Sequence, residues 1–242
     1  MLGAVSAPVS IVVPVRNEAA GLARLLASLR ALVRVGDVVE IVVVDGESAD
    51  GTAAIAAEWA DVVIRCDPGR GGQLRAGAER SSGRTIWMLH ADAEVTREVW
   101  ATLIDAAHRS LPWGRFDVRL TSQGWPFRVI ETAMNWRSRL TGICTGDQGI
   151  FVRRDVLERA GGIPAQRLME DVELCRRLKR LARPVGLRPR IGASARRWQV
   201  RGVLRTVVTM WELRLCYFFG ASPDALADRY YRETDPESAD GA

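Results

Sequence analysis

Four short polar clusters set side chains capable of chemistry beside runs of apolar residues. Asp45 follows Ile41-Val42-Val43-Val44 and precedes Gly46. A strand ending there would leave its carboxylate ready to accept hydrogen bonds from a base or a ribose; a helix-capping aspartate is the plainer alternative. In Pro68-Gly69-Arg70-Gly71-Gly72 the glycines permit close backbone approach, and Arg70 or Arg75 can neutralise phosphate charge. Many tight turns share that composition. His90-Ala91-Asp92 follows the apolar stretch Thr85–Leu89. An aspartate there can ligate Mg2+ or Mn2+ together with a diphosphate, because hard cations take oxygen ligands; a surface turn with a satisfied histidine reads the same way. Glu170-Asp171 opens a helical pattern after Met169. Paired carboxylates at a helix N-terminus are favoured by the macrodipole alone, yet one within reach of a hydroxyl is a general base.

The elements that must position these clusters follow from hydrophobic periodicity. Strands are predicted at Val9–Val13, Glu40–Val44, Val62–Arg65 and Thr85–Leu89. Between them fall helical patterns. The first is capped by Asn17 and presents Leu22, Leu25, Leu26, Leu29 and Leu32; the others run from Asp50 or Thr52 through Trp59, over about Gln73–Ser81, and from Thr96 to His108. Such alternation predicts right-handed parallel βαβ units, whose ligands bind beyond the carboxyl ends of the strands. Asp45, Arg70, His90, Asp92 and the Arg16-Asn17-Glu18 turn all fall there. The second half predicts a strand at Phe116–Leu120, a helix at Trp125–Leu140, a loop at Gly142–Gly149 and a strand at Ile150–Arg153. A helix at Glu170–Leu181, a short strand at Val185–Leu187 and a helix from about Val203 to Phe219 complete it.

A chain of 242 residues with 48% hydrophobic and 26% charged side chains is globular, which excludes disorder and collagen-like structure. The four cysteines, at 66, 144, 175 and 216, form no Cys-x-x-Cys pair, so they read as reduced structural thiols of a cytoplasmic protein. No signal peptide is read at the start, and no run of 18 apolar residues predicts a membrane span. The stretch Val207–Phe219, interrupted by Glu212 and Arg214, reads as an amphipathic helix, either packed on the core or lying on a membrane. Residues 1–120 carry 13 basic and 15 acidic side chains, and residues 121–242 carry 21 and 14, so the basic excess belongs to the second half. Of the 34 basic residues 33 are arginine, which base composition alone would explain. No stacking platform is interleaved with them, and no nucleic-acid partner is expected.

Taken together, the clusters resemble glycosyltransferase family 2. The resemblance is carried by Val13-Pro14-Val15-Arg16-Asn17-Glu18, Val43 to Thr52, the Gly69–Ala78 stretch, Leu89-His90-Ala91-Asp92 and Met169-Glu170-Asp171, in that order. Trp113 to Asp117, Thr145 to Arg154 and Ser194-Ala195-Arg196-Arg197-Trp198 look like the subgroup associated with radical-SAM and selenodomain proteins. The resemblance spans about residues 8–232 and implies an α/β GT-A fold of the nucleotide-diphospho-sugar transferases. That fold is a Rossmann-like, mostly parallel sheet with flanking helices, followed here by a C-terminal amphipathic helix. One domain over 1–232 is expected: a nucleotide-binding half at 8–110, an acceptor-binding half at 111–200 and a helix at 201–220, with a polar tail at 233–242.

The resemblance implies roles. Pro14, Val15, Arg16, Asn17, Glu18, Asp45, Gly46 and Arg70 or Arg75 would hold the nucleotide. His90, Ala91 and Asp92 would face the diphosphate, with Asp92 as ligand to Mg2+ or Mn2+. Asp171, with Glu170, would deprotonate the acceptor; Gly146, Asp147 and Gln148 would line its side; Arg196 and Trp198 would close the site. The implied reaction is inverting transfer from a nucleotide-diphosphate sugar, a UDP-sugar by family habit. Its acceptor would be lipid-linked, a carotenoid or otherwise unspecified, met at the inner face of a membrane. Two departures stand out: the usual Asp-x-Asp is His90-Ala91-Asp92, and Glu47 replaces a glycine, so a different backbone is expected there. A nucleotidyltransferase of related fold would need a catalytic lysine where Pro14 to Glu18 has none, and a non-catalytic sugar-nucleotide binder would have no use for both Asp92 and Asp171.

Overall fold

The computed structural model describes residues 9–33 and 39–234. Seven strands form one sheet in the order β3-β2-β1-β4-β6-β5-β7. They are β1 (Val9–Val15), β2 (Val39–Asp45), β3 (Val62–Arg65), β4 (Thr85–Met88), β5 (Trp113–Leu120), β6 (Phe151–Arg153) and β7 (Val185–Ala193). β1 pairs in parallel with both β2 and β4, and β5 with β7; β6 alone runs antiparallel to its neighbours β4 and β5. The chain steps outward from β1 to β3 and then returns to the other side of β1 as β4. That reversal opens a crevice beyond the carboxyl ends of β1 and β4, the place where open α/β sheets bind ligands.

Alternate residues of each central strand enter cores on opposite faces. Ile11, Val13, Ile41 and Val43 pack with α1 (Ala19–Leu32) and α4 (Arg97–His108). Val12, Val42 and Val44 pack with α3 (Arg70–Arg80) and later with α7 (Glu170–Lys179). Gly77 lets α3 lie directly on the sheet: a Cβ there would stand 2.4 Å from a Val12 methyl. The remaining helices are α2 (Thr52–Trp59), α5 (Trp125–Thr141), α6 (Arg154–Arg159), α8 (Arg196–Arg201), α9 (Val203–Phe218) and α10 (Pro223–Thr234). Helices α6, α8 and α10 were not expected from periodicity.

Three local departures have clear causes. α3 begins at Arg70 rather than near Gln73, so Gly71 and Gly72 are its first turn and not a loop. Gly71 is needed there because the carbonyls of Pro164 and Gln166 lie 2.7 and 2.4 Å from where its Cβ would be. β7 is nine residues long rather than three. It is an edge strand, so Pro189 and the exposed arginines Arg188 and Arg190 are tolerated. The register slips between Phe116 and Asp117, which skips Arg188 and Pro189. Finally, β6 is too short to cover β5. Side chains of α5 replace the missing strand: Asn135 pairs with both backbone groups of Val118 at 2.8 and 3.1 Å, and Glu131 accepts the Leu120 N–H at 2.5 Å. The polar stretch expected from Glu233 lies almost wholly outside the described residues.

Candidate active site

The loops after β1 and β2 are laced together. Asn17 was expected to cap α1. Instead it takes a left-handed conformation (φ 52°), and its side chain accepts the Ala49 N–H at 2.8 Å while its own N–H reaches Ser48 Oγ at 2.9 Å. Glu18 occupies the cap position without a side-chain bond. Glu47 also takes a left-handed conformation, with φ 58°, so this turn carries on a side chain the geometry that glycine adopts freely. Asp45 is buried at the end of β2, where its carboxylate accepts the Ser48 N–H at 3.2 Å. Gln73, missed in the sequence, is buried above this junction. Its amide donates to the carbonyls of Val15 and Val44, each at 2.8 Å, and rests on Gly46, where a Cβ would approach it to 2.9 Å. Only its position one turn into α3 hinted at that role. Arg16 is exposed.

The second group gathers around Arg70. Met169, buried and with φ 62°, turns the chain so that Glu170 and Asp171 open α7. Arg70 opens α3 opposite them. Its guanidinium is hydrogen-bonded to Glu170, lies 3.9 Å from Asp171 and 3.4 Å from His90 Nε2. Two carboxylates beside Arg70 hold it firmly cationic. Asp171 accepts the Gly146 N–H at 3.1 Å and the Val172 N–H at 2.7 Å. Burial, and then the neighbouring Glu170, raise its pKa from 3.8 to about 6 despite Arg70. Burial also lowers the pKa of His90 and so favours its neutral ring. The second carboxylate oxygen of Glu170 is buried without a partner. Pro14, Leu74, Met88, Leu89 and Ile150 form the apolar wall of the narrow cleft below this group.

Residues Gly146–Gln148 form a short 3-10 turn. Gly146 presses on His90, where a Cβ would lie 2.2 Å from Nε2. Asp147 is exposed. Gln148 is buried and bonded to Ser138 Oγ at 3.0 Å, so it anchors the turn and leaves Gly146 and Asp147 facing the site. Arg75 is turned outward and pairs with Glu79 at 2.8 Å; five residues of helix rotate it about 140° from Arg70. Arg196 reaches back to Glu18 at 2.8 Å and ties α8 to the β1 turn, while Trp198 packs on the Val118–Ile130 core. Arg137 is a further residue that sequence reasoning missed. On α5 it faces the charges of Asp171 and Asp147, and its Nη2 is buried with no partner. The Arg115–Asp117–Arg139 ion-pair chain, by contrast, ties β5 to α5 within the fold.

Among the described residues no three of His, Cys, Asp and Glu converge as a metal cage. Asp92, half-buried, offers one carboxylate, while His90 Nε2 is turned toward Arg70 and Gly146. One carboxylate fits a cation that arrives on a diphosphate, since Mg2+ is commonly held by one or two carboxylates plus substrate phosphates.

A mostly parallel Rossmann-like sheet, with polar loops at the ends of β1, β2 and β4 facing a carboxylate-arginine group on α3 and α7, is the GT-A fold. The chain belongs to glycosyl transferase family 2, whose model matches residues 10–159. It is 29% identical over 167 residues to the undecaprenyl-phosphate 4-deoxy-4-formamido-L-arabinose transferase of Pseudomonas paraeruginosa (strain DSM 24068 / PA7), covering 60% of this chain and 46% of that one. The chain thus spans about half the length of the curated relatives it matches first. Among solved structures, S. aureus TarS 1-349 in complex with UDP-GlcNAc superposes with a TM-score of 0.63 at 18% identity, over 77% of this chain and 58% of that one. The mannosyltransferase PcManGT from Pyrobaculum calidifontis, in complex with GDP-Man and Mn2+, superposes with a TM-score of 0.61 at 20% identity, over 88% and 64%.

Proposed function

We propose that the chain is an inverting glycosyltransferase that moves a sugar from a nucleotide-diphosphate donor, a UDP-sugar by preference, to an acceptor oxygen. The observation that carries this reading is Asp171, a largely buried carboxylate with a pKa of about 6, fixed by two backbone N–H groups beside Arg70. It is ionised at neutral pH yet basic enough to take a proton, the compromise a general base requires. The laced turns at Asn17 and Asp45 serve the nucleoside, and Arg70 faces the diphosphate. As the acceptor oxygen bonds to the anomeric carbon, its proton passes to Asp171. The bond to the diphosphate breaks with its electron pair, and the new charge is met by Arg70. No covalent sugar–enzyme intermediate forms. A divalent cation, when bound, supplies further screening of the leaving diphosphate, and Asp92 would hold it.

The acceptor is read as a hydroxyl on a lipid-linked group at the inner face of a membrane. The name of the undecaprenyl-phosphate relative supports this, as does the unpartnered Nη2 of Arg137, which offers a countercharge to a phosphate elsewhere on the acceptor. The test is turnover against a panel of nucleotide sugars, with and without Mn2+. A donor that is consumed, with inversion at the anomeric carbon by NMR and loss of activity in EDTA, supports the reading. Retention of configuration would overturn the single displacement. Full activity in EDTA, or unchanged metal dependence in Asp92→Asn, would remove Asp92 as ligand.

A further inference from the structure

Thirteen large apolar side chains are exposed among the described residues, and eleven of them lie on two segments: Trp125 to Leu140 on α5, and Val200 to Phe219 around α9. Scatter would not produce that distribution; isolated exposed hydrophobics are ordinary, but contiguous patches mark interaction surfaces.

On α9, Leu204, Val208, Trp211, Leu215 and Phe218 recur at intervals of four and three, and all are between 55% and 77% exposed. That spacing is one face of a helix. The opposite face is already in use: Leu213, Met210 and Tyr217 pack with Leu226 and Tyr230 of α10 and with Met169. α9 is therefore apolar on both sides and satisfied on one. α5 is inverted more sharply. It turns Glu131, Asn135 and Ser138 inward to the sheet and shows Trp125, Val129, Trp136 and Leu140 to the outside. Both segments border one core cluster: Phe127 and Met134 of α5, Trp198 of α8 and Val203 at the start of α9 pack against Val118, Leu120, Ile130, Ala193 and Ala195.

We infer that these exposed faces of α5 and α9 dock the protein on an anionic lipid bilayer, with the helices lying in the plane of the interface. Tryptophan and phenylalanine on an exposed helical stripe are the residues that anchor in the headgroup region. Among the described residues no helix is long and apolar enough to cross a membrane, so the stripe lies on the surface. Charge selects the occupant. Residues 121–242 carry 21 basic and 14 acidic side chains. An anionic leaflet complements that excess, whereas a second copy of the chain would bring two such halves together. Docking is read from the surface itself; its purpose, access to a lipid-borne acceptor, rests on the function proposed above.

The test uses the full chain in flotation with vesicles of phosphatidylglycerol and phosphatidylcholine, or of phosphatidylcholine alone. Binding to the anionic vesicles, weakened by added salt, is expected. Trp211→Gln, Leu215→Gln and Phe218→Gln together should cut that binding by about tenfold or more, with the thermal midpoint and nucleotide binding unchanged. Failure of the wild type to bind anionic vesicles, or equal binding by the triple variant, overturns the inference. A dimer in sedimentation velocity that the triple variant dissolves would assign the face to a second copy instead. Vesicle binding without glycosylation of any lipid would leave the docking intact and remove the lipid acceptor.

Discussion

Replacing Asp171 by Asn separates chemistry from stability. The carboxyl pKa rises from 3.8 to about 6 on folding, and at about 1.36 kcal/mol per unit the folded chain holds the ionised group at a cost of roughly 3 kcal/mol. Because the folded pKa is the higher one, the penalty is absent below the unfolded value of 3.8, grows as pH rises, and is complete above about 6. Asparagine never ionises and escapes it. However, both carboxylate oxygens accept backbone N–H groups, from Gly146 and Val172. An amide has one oxygen, so one of these bonds is lost at about 1 kcal/mol. The net expectation at pH 7.5 is a gain of about 2 kcal/mol, or roughly 4–8 °C in Tm for a chain of this size. At pH 4 the gain disappears. Turnover should fall by about 10²–10⁴-fold, the usual contribution of a general base, while nucleotide binding by calorimetry stays nearly intact. In the wild type, kcat/KM should climb through about pH 6. Thermal melts at the two pH values and initial rates on one preparation read all of this. A variant that turns over at the wild-type rate refutes the base assignment. A variant less stable than the wild type at pH 7.5 refutes the burial argument.

Gly77→Ala should destabilise the fold by about 1–3 kcal/mol in urea titration, because its methyl would enter the space of Val12 and Val44 beneath α3. Arg137→Gln should raise KM for an anionic acceptor at least several-fold and leave nucleotide binding unchanged; an unchanged acceptor KM would show that the guanidinium does not meet the acceptor. Gly146→Ala places a methyl against His90 Nε2, so kcat should drop with little change in donor KM, and an unaffected kcat would mean that the ring moves aside freely.

The first hundred residues were legible because three of their four strands, β1, β2 and β4, are largely buried on both faces and read as unbroken apolar runs. Their carboxyl ends then had to carry Asp45 and Asp92. What stayed hidden depends on contacts across the fold. Gln73 looks like any polar helix residue until Val15 and Val44 turn their carbonyls toward it. Arg137 is one arginine among 33, and only the fold buries its Nη2 without a hydrogen-bond partner near Asp171 and Asp147. Arg188-Pro189-Arg190 looks like a loop in one dimension, which is how an edge strand with a register slip reads. The residue type of Asn17 predicts a helix cap, but the neighbouring β2 turn competes for the same oxygen and wins.

The stand-in strand that α5 lends to β5 also sets how that helix can behave as a lever. Its outer face carries Trp125, Trp136 and Leu140, while its inner face closes hydrogen bonds at Val118 and Leu120. Any pull that lifted α5 outward would bare a raw sheet margin, an invitation to aggregate. The helix must therefore move with the sheet or not at all. The amides of Val118 and Leu120 form a built-in gauge of that coupling: their hydrogen–deuterium exchange should stay slow however firmly the outer face is held.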